Sequence, residues 1–337
     1  MPGMALLAHG ADVIIDTTGP TVEWSSRWPG CEGDQSNSPP DWVSVRGIHK
    51  YDRADVVVMQ RPSRRWWTDI IPLLQAQGIR VIVDIDDRFD KIDKGNVAKG
   101  IFDPRYDAIN NYTWVTQAAQ LADKVTVTTP SLLKAYGFGH GVVLPNYVPE
   151  RYLFINGFRP TSVAWTGNIG THPRDLQVTG GAVGQVLNEQ GWNFHVVGTG
   201  HGVQQALQLS EPPTTTGWVP FADYPEEMAK ATIGIVPLAD TVFNEGKSCL
   251  KMIEFASLGV PVIASPTADN VRMHQAGVGL LAKTPQKWRT MLSLLMDNRE
   301  QRLDIAGRSR DVIAKQFTYS AHCDRWWAAW TGEKRRR

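Results

Sequence analysis

The chain has 337 residues, of which 42% are hydrophobic and 20% are charged, and its formal net charge is +1. This length is too great for one ordinary α/β domain and suits two domains of roughly 150 residues each. The small net charge excludes a general attraction to polyanions. The basic run at 334–337 is expected to be a solvated tail rather than a contact with nucleic acid or membrane.

The cysteines and the hydropathy pattern indicate in which cellular compartment the protein is expected. Cys31, Cys249 and Cys323 have no metal-like spacing, and an odd, sparse set is typical of a reducing compartment. No stretch approaches the roughly 18 apolar residues of a membrane span. Residues 1–4 lack the basic-then-apolar start of a signal peptide. We therefore expect a cytoplasmic protein without a stable membrane span.

Short apolar runs alternate with segments of helical periodicity along the chain. The runs carry consecutive apolar side chains, as strands do when helices cover both faces of a parallel sheet. They lie at 12–15, 55–59, 80–84, 124–127, 163–165, 193–197, 233–237 and 261–264. Helices are predicted at 66–77, 112–122, 175–190, 224–231, 287–296 and 320–331. The alternation predicts doubly wound α/β units.

The pattern pauses near Pro145 and Pro149 and restarts with the strand at 163, which predicts an interdomain hinge near 145–160. In such sheets ligands bind beyond the carboxyl ends of the strands. The loops after Asp84, Trp165 and Val197 and the loop after residue 237 are therefore the places to search.

Residues 243–261, between two predicted strands, hold the most informative pattern. They predict a helix that begins near Ser248 and stops at Gly259. On a helical period Lys247, Lys251 and Glu254 fall on one narrow stripe, while the apolar residues fall elsewhere and can pack. Polar side chains on a helix between two buried strands cost folding free energy unless hydrogen bonds or opposite charges compensate for their burial.

This stripe has the composition of an anion cradle. Gly246 would let the backbone approach a ligand, and outward-pointing N–H groups at the helix start would add partial positive charge. Lys247 and Lys251 would supplement them for a diphosphate, and Glu254 could accept hydrogen bonds from a ribose diol. The alternative is a lysine–glutamate surface pair beside an ordinary glycine turn.

The letters of this segment carry a family resemblance. Gly-Lys-Ser at 246–248, Leu-Lys-x-x-Glu at 250–254 and Ala-Ser-Leu-Gly-Val-Pro at 256–261 resemble the donor site of GT4-type (group 1) glycosyltransferases. The resemblance implies the GT-B fold, with two Rossmann-like doubly wound domains facing a central cleft. It places Gly246, Lys247, Ser248 and Lys251 at a nucleotide-sugar donor and gives Glu254 the ribose. Gly246 stands where the family commonly has a second glutamate.

Three further stretches support the resemblance. Gly167 and Asn168 lie in what looks like the glycine-rich turn that reaches the donor phosphates, and Gly198 lies in the next strand-end loop. His172 is either a catalytic residue of the cleft or an ordinary loop histidine. Residues 216–220 resemble the segment that meets the nucleotide base.

In that segment Trp218 and Val219 would supply an apolar wall for the base. The alternative is that Trp218 belongs to the hydrophobic core.

Carboxylates end the predicted strand at 80–84 and continue beyond it, at Asp84, Asp86 and Asp87. Carboxylates at the carboxyl end of a strand are unfavourable in a hydrophobic core, so we expect these side chains to line a cleft. Asp86 and Asp87 could bind the acceptor or manage its proton, could hold a metal in an Asp-x-Asp pattern, or could cap a helix. Similar segments recur at this place in GT4-like sequences, which favours the first role, and we expect no metal site.

Residues 5–13 resemble the first helix and second strand of the family's N-terminal domain, taken here as 1–150, so its first strand is expected to be missing. The start is truncated, another segment substitutes, or this branch lacks the strand. The C-terminal domain is taken as 158–316, and the resemblance implies that the last helix, about 318–332, packs back on the N-terminal domain. Gly246-Lys247-Ser248 does not make a P-loop, since Thr241 stands where that motif needs glycine.

The resemblance implies hexosyl transfer from a nucleoside-diphosphate sugar to a hydroxyl acceptor, with retention of configuration. The sugar nucleotide is a co-substrate, and neither a cofactor nor a bound metal is expected. The acceptor stays open among glycan, lipid, protein and modified nucleic acid. The alternatives are a viral DNA- or protein-modifying glycosyltransferase, a nucleotide-sugar epimerase, and a nucleotide-sugar-binding protein without transfer activity.

Overall fold

The structure is a computed structural model that describes Tyr51, residues 54–157 and residues 161–332. The predicted strand at 12–15 and the basic run at 334–337 lie outside the described residues. The described chain forms two compact units. The C-terminal unit comprises Asn146–His322 and the short segment Asp93–Val97, and the N-terminal unit comprises the other described residues.

The N-terminal unit is built on a parallel sheet whose described strands follow the order β1-β2-β3-β4. The strands are β1 Val56–Gln60, β2 Arg80–Ile85, β3 Lys124–Val127 and β4 Gly141–Val143. The helices between them are α1 Arg65–Ala76, α2 Lys99–Phe102, α3 Asn111–Leu121 and α4 Pro130–Tyr136. Side chains of β2 are fully buried at Val81, Ile82 and Val83, as expected of a strand covered on both faces.

The C-terminal unit contains a six-stranded parallel sheet. Its strands are β5 Ser162–Asn168, β6 Asn193–Thr199, β7 Thr214–Thr215, β8 Ile233–Val236, β9 Val262–Ala264 and β10 Leu280–Leu281. They lie in the order β7-β6-β5-β8-β9-β10, which is the 3-2-1-4-5-6 order of a Rossmann sheet. The direction of winding therefore reverses between β5 and β8, and this reversal is the usual place for a ligand.

Helices cover both faces of this sheet. They are α5 Ala182–Gln190, α6 Val203–Leu207, α7 Tyr224–Ala229, α8 Val242–Glu245, α9 Leu250–Ser257, α10 Ala268–Gln275, α11 Pro285–Asp297 and α12 Arg299–Gln316. Strand β5 shows the two faces: Val163 and Trp165 belong to one hydrophobic cluster, whereas Ala164 belongs to the other. The predicted doubly wound architecture is confirmed in this unit.

The last helix, α13 Cys323–Thr331, packs against strands β1, β2 and β3 and belongs to the N-terminal unit. Its apolar face buries Cys323, Trp326 and Ala329. The rings of Trp326 and Trp330 meet edge to face with centroids 5.5 Å apart. The tryptophans of this helix therefore have a structural explanation in packing.

Several element boundaries differ from the predictions for local reasons. The helix expected at 175–190 is split by Gly180 and Gly181, which adopt φ values of +55° and +79°. The helix expected near Ser248 begins at Leu250, because the chain first forms the separate turn α8. Thr241 starts that turn by accepting a hydrogen bond from the Asn244 N–H.

The sequence placed the hinge at 145–160, and residues 146–157 pack on the C-terminal unit. The Val148 N–H donates to the Phe317 carbonyl at 3.0 Å, and the Tyr319 N–H donates to the Val148 carbonyl at 3.1 Å. Tyr152 is buried in the same core. The long helix α12 was not predicted, because polar residues interrupt its apolar face.

Candidate functional site

The candidate site lies in the C-terminal unit, where the winding reverses between β5 and β8. Two glycines let the strand ends come close together there. Gly167 has φ +152° and Gly198 has φ +138°. A Cβ at Gly198 would meet the Gly167 carbonyl oxygen, and a Cβ at Gly167 would lie 2.8 Å from the Trp165 ring. A side chain at Gly198 would force the strand ends apart, and one at Gly167 would displace the Trp165 ring.

The turn after β5 is ordered by its own hydrogen bonds. The Asn168 side-chain oxygen accepts from the Gly170 N–H at 2.7 Å, and the Asn168 carbonyl accepts from the His172 N–H at 3.0 Å. The segment Asp93–Val97 then holds the turn from outside. The Val97 N–H donates to the Gly170 carbonyl at 2.8 Å, so the loop is fixed on both sides.

His172 sits at the end of this turn between an acid and a lysine. Its Nδ1 lies 2.7 Å from Asp175 Oδ2, and its Nε2 lies 3.4 Å from Lys251 Nζ. Burial, followed by the charge of Lys251, lowers the pKa of His172 from 6.5 to about 4. The imidazole is therefore neutral at physiological pH, and its contact with Asp175 is a hydrogen bond rather than an ion pair.

Asp175 also joins the loops that follow β5 and β8. Its Oδ1 accepts from the Ala239 N–H at 2.8 Å and from Asn244 Nδ2 at 2.7 Å. Desolvation alone would raise the pKa of this carboxyl, but the hydrogen bonds from His172 and these two groups outweigh it and hold the pKa below 3.8. A buried carboxylate thus connects both sides of the site.

The expected N–H cradle at residues 246–249 differs from the prediction. Gly246 N–H donates to the Phe243 carbonyl and Lys247 N–H to the Asn244 carbonyl, each at 3.1 Å. Cys249 N–H donates to Asp269 Oδ2 at 2.7 Å. Gly246 itself has φ −78°, a right-handed conformation open to other residues. For these three N–H groups the expectation that they point outward is wrong, because the turn α8 and the acid Asp269 engage them.

The positive charge of the site therefore comes mainly from lysine side chains. Lys247 Nζ lies 4.6 Å from the centre of the Phe243 ring, and Lys251 Nζ lies 5.8 Å from the centre of the Trp165 ring. Both lysines lower the pKa of His172, which places both charges near the imidazole. The face of an aromatic ring attracts an ammonium group and leaves its charge in place.

Ser248, between these lysines, accepts a hydrogen bond from Asn146 Nδ2 at 2.8 Å through its hydroxyl oxygen. That oxygen has a second lone pair and the hydroxyl a proton to donate. Ser248 thus fixes the segment to residue 146 while keeping hydrogen-bonding capacity.

Glu254 is buried, with 7% of its surface exposed. Burial raises its pKa from 4.5 to about 8, although the charge of Lys251 and a hydrogen bond with Tyr224 act in the opposite direction. The alternative of a lysine–glutamate surface pair therefore fails for this residue. A buried, protonated carboxyl group can both donate and accept hydrogen bonds, which suits a diol.

The loops after β6 and β7 carry the residues predicted to meet a base. The Gly217 N–H donates to the Gly198 carbonyl at 3.1 Å, which brings the two loops together. Trp218 is 86% exposed, so the alternative that it belongs to the core is wrong. Val219 packs at the edge of the core. The exposed indole lies outside the hydrophobic core, where a ligand can contact it.

In the N-terminal unit, the acids at the end of β2 occupy three different environments. Asp84 is half-buried and accepts from the Thr126 hydroxyl at 2.5 Å, and desolvation raises its pKa to about 6. Asp86 lies 3.7 Å from Arg61 Nε, and the Asp87 carbonyl accepts from the Phe89 N–H at 3.1 Å. Within residues 54–157 and 161–332, no three His, Cys, Asp or Glu side chains are grouped as metal ligands would be.

Sequence reasoning missed four residues that shape the site: Asp175, Tyr224, Asn244 and Asp269. Asp175 could have been found from its place three residues after His172, where a loop enters a helical turn. The other three act across the fold, since α7, α8 and α10 bring them to residues distant in sequence. No local pattern marks such contacts.

Comparison with known proteins identifies the C-terminal half. Residues 160–298 match the family model described as Glycosyl transferases group 1. The described chain has the GT-B fold of glycosyltransferases. No match was found among curated proteins. In the described part of the chain, no helix is both long and apolar enough to cross a membrane.

Solved structures share the fold of this chain at low sequence identity. Anabaena Alr3699/HepE in complex with UDP-glucose has 11% identity and a TM-score of 0.62, over 85% of this chain and 82% of that one. Sucrose-phosphate synthase from Thermosynechococcus elongatus has 15% identity and a TM-score of 0.61, over 97% and 90%. A UDP-forming trehalose-phosphate synthase from Burkholderia xenovorans has 13% identity and a TM-score of 0.55, over 85% and 74%.

Proposed function

We propose that this protein is a glycosyltransferase that moves a hexosyl group from a nucleoside-diphosphate sugar to a hydroxyl acceptor, with retention of configuration. One observation carries the proposal. Lys247, Lys251, His172 and the buried carboxyl of Glu254 lie together where the winding of the Rossmann sheet reverses. These groups offer positive charge for a diphosphate next to a hydrogen-bonding partner for a ribose.

The two lysines stabilise the diphosphate as it leaves the sugar. Negative charge develops on the bridging oxygen when the glycosidic bond breaks, and fixed cations lower that barrier without reorganising. Loss of one such group typically costs about 3 kcal/mol of transition-state stabilisation. The turn at Gly167 and Asn168 lies on the phosphate side, and Ser248 donates its hydroxyl proton to the same anion.

Glu254 holds the ribose, and the loops after β6 and β7 hold the base. The Trp218 indole stacks on the base, while Val219 and Gly198 form the edge of its binding surface. Because the HepE structure contains UDP-glucose, uridine nucleotides are the first donors to test. The reaction proceeds without a bound metal or other cofactor, since the lysines supply the positive charge.

The acceptor is a hydroxyl compound of the glycan, lipid, protein or modified-nucleic-acid classes. Asp86 and Asp87 of the N-terminal unit orient it, and the departing phosphate takes up its proton. The bond from the anomeric carbon to the phosphate oxygen breaks as the bond to the acceptor oxygen forms. His172, neutral at working pH, lies at the phosphate side of this exchange.

The test is release of nucleoside diphosphate from UDP-, GDP-, ADP- and TDP-glucose, with and without a panel of hydroxyl acceptors. The wild type should release one nucleotide in excess of background, and Glu254→Ala should abolish that release. Glu300→Ala removes an exposed glutamate of the same unit and should retain the activity. Binding of a sugar nucleotide without acceptor-dependent release would favour a binding protein instead, and equal turnover by Glu254→Ala would refute the donor assignment.

A further inference from the structure

Asp175 uses both oxygens of its carboxylate: Oδ1 has two partners that can only donate, and Oδ2 has a histidine ring nitrogen as its partner. Oδ1 accepts from the Ala239 N–H and from Asn244 Nδ2, and Oδ2 faces His172 Nδ1 at 2.7 Å. The carboxylate is 3% exposed. Since an ionised carboxylate has no proton to give, the proton of the short contact must reside on His172 Nδ1.

That proton fixes the other nitrogen of the ring. A neutral imidazole carries one proton, so His172 Nε2 presents a lone pair. The group that faces Nε2 at 3.4 Å is the ammonium of Lys251, which can only donate. The three residues therefore form a chain of fixed polarity, in which Lys251 donates to His172 and His172 donates to Asp175.

We propose that Asp175 is a positioning residue for the transfer reaction, which locks His172 in the Nδ1–H tautomer so that Nε2 can hold the Lys251 ammonium at the donor diphosphate. The inference rests on the proposed function, because that function assigns Lys251 to the diphosphate. Asp175 does not contact the sugar nucleotide in this account. It acts through the imidazole, much as the orienting partners of other catalytic histidines do.

A purely structural role is the competing explanation, because Asp175 also ties Ala239 and Asn244 to the loop after β5. Asp175→Asn separates the two roles. If the amide oxygen keeps the two donors, its NH2 group faces His172 and requires the Nε2–H tautomer. The Nε2 proton then points at the Lys251 ammonium. The reverse orientation would bring the NH2 group against two donors, so the first orientation is favoured.

The tautomer of His172 can be measured directly by NMR. Full-length protein labelled with ¹⁵N in its eight histidines is studied by long-range ¹H–¹⁵N NMR, with His172→Gln used to assign the ring signals. In the wild type, Nδ1 of His172 should be protonated and Nε2 should carry no proton. Asp175→Asn should shift His172 to the Nε2–H form and weaken binding of the nucleoside diphosphate by about tenfold or more, as loss of a charged hydrogen bond does.

Two control variants distinguish positioning from stability. Ser309→Ala removes the buried acceptor of the Gly279 N–H elsewhere in the unit, and should lower thermal stability without changing the His172 tautomer. Asn244→Ala removes the Asn244 Nδ2 bonds to Asp175 Oδ1 and to the Ala239 carbonyl, leaves the Ala239 N–H on Oδ1, and should keep the Nδ1–H form. If Asp175→Asn fails to fold, the tautomer of the wild type still decides, because a protonated Nε2 on His172 would overturn the inference.

The outcomes separate this inference from the function on which it rests. A wild type that binds no nucleoside diphosphate contradicts the proposed function. A wild type that binds the nucleotide but carries the Nε2–H tautomer overturns the role of Asp175. An Asp175→Asn protein that keeps both the Nδ1–H tautomer and the affinity overturns it as well.

Discussion

Replacement of Glu254 by glutamine should change how stability depends on pH. Glutamine has the shape of the protonated side chain and cannot ionise. In the wild type the folded-state pKa is raised from 4.5 to about 8 by burial. Below pH 4.5 the group is protonated in both states, so its favourable contribution is fully present. As pH rises towards 8 the unfolded chain gives up the proton while the folded chain keeps it, and that contribution is lost.

The size of the loss follows from the two pKa values. Each pH unit between 4.5 and about 8 is worth about 1.4 kcal/mol, so the complete loss is about 5 kcal/mol as an upper bound. Between pH 5 and pH 8 it amounts to about 3 to 4 kcal/mol. Other titrating groups are common to both proteins. The difference between wild type and Glu254→Gln therefore isolates this carboxyl group.

Urea unfolding followed by tryptophan fluorescence at pH 5, 6, 7 and 8 measures that difference. Glu254→Gln should be close to wild type at pH 5 and increasingly more stable as the pH rises. Glu300→Gln, at an exposed position, should track the wild type throughout. A constant difference between wild type and Glu254→Gln over this range would refute the reasoning, because the buried carboxyl would then have an ordinary pKa.

Two further predictions concern the ligand. Trp218→Ala should leave thermal stability unchanged, since the side chain is 86% exposed, and should weaken nucleotide binding by about fivefold or more through lost stacking; unchanged affinity would remove Trp218 from the base site. A chelator should leave sugar transfer unaffected, because lysines rather than a cation neutralise the diphosphate; a strict metal requirement would restore the metal hypothesis for Asp86 and Asp87.

Strands of four or more residues in the described chain could be predicted from the sequence, whereas the short strands β4, β7 and β10 were not predicted. A strand buried on both faces has to be a run of apolar residues, and β2, β3 and β6 were found within two residues of their ends. The ends of the helices were harder to predict than the strands. They depend on glycine conformations such as those of Gly180 and Gly181, and on caps such as Thr241, which compete with helical periodicity.

The candidate site was predicted as a set of residue types and not as an arrangement. The stripe of Lys247, Lys251 and Glu254 was visible because helical spacing is a local property. The burial that raises the pKa of Glu254, and the use of the Cys249 N–H by Asp269, arise from elements that are distant in sequence. Such contacts exist only in the folded chain, so no spacing rule could have indicated them.

The central claim is that a nucleoside diphosphate binds at the lysines of the C-terminal unit. Calorimetric titration of UDP, GDP, ADP and TDP into the wild type and Lys247→Ala tests it most directly, with thermal unfolding recorded on both proteins. The account predicts that the wild type binds at least one nucleotide, that Lys247→Ala binds it about tenfold or more weakly, and that stability is nearly unchanged. Equal affinity of the two proteins, or no binding by the wild type, would contradict the account.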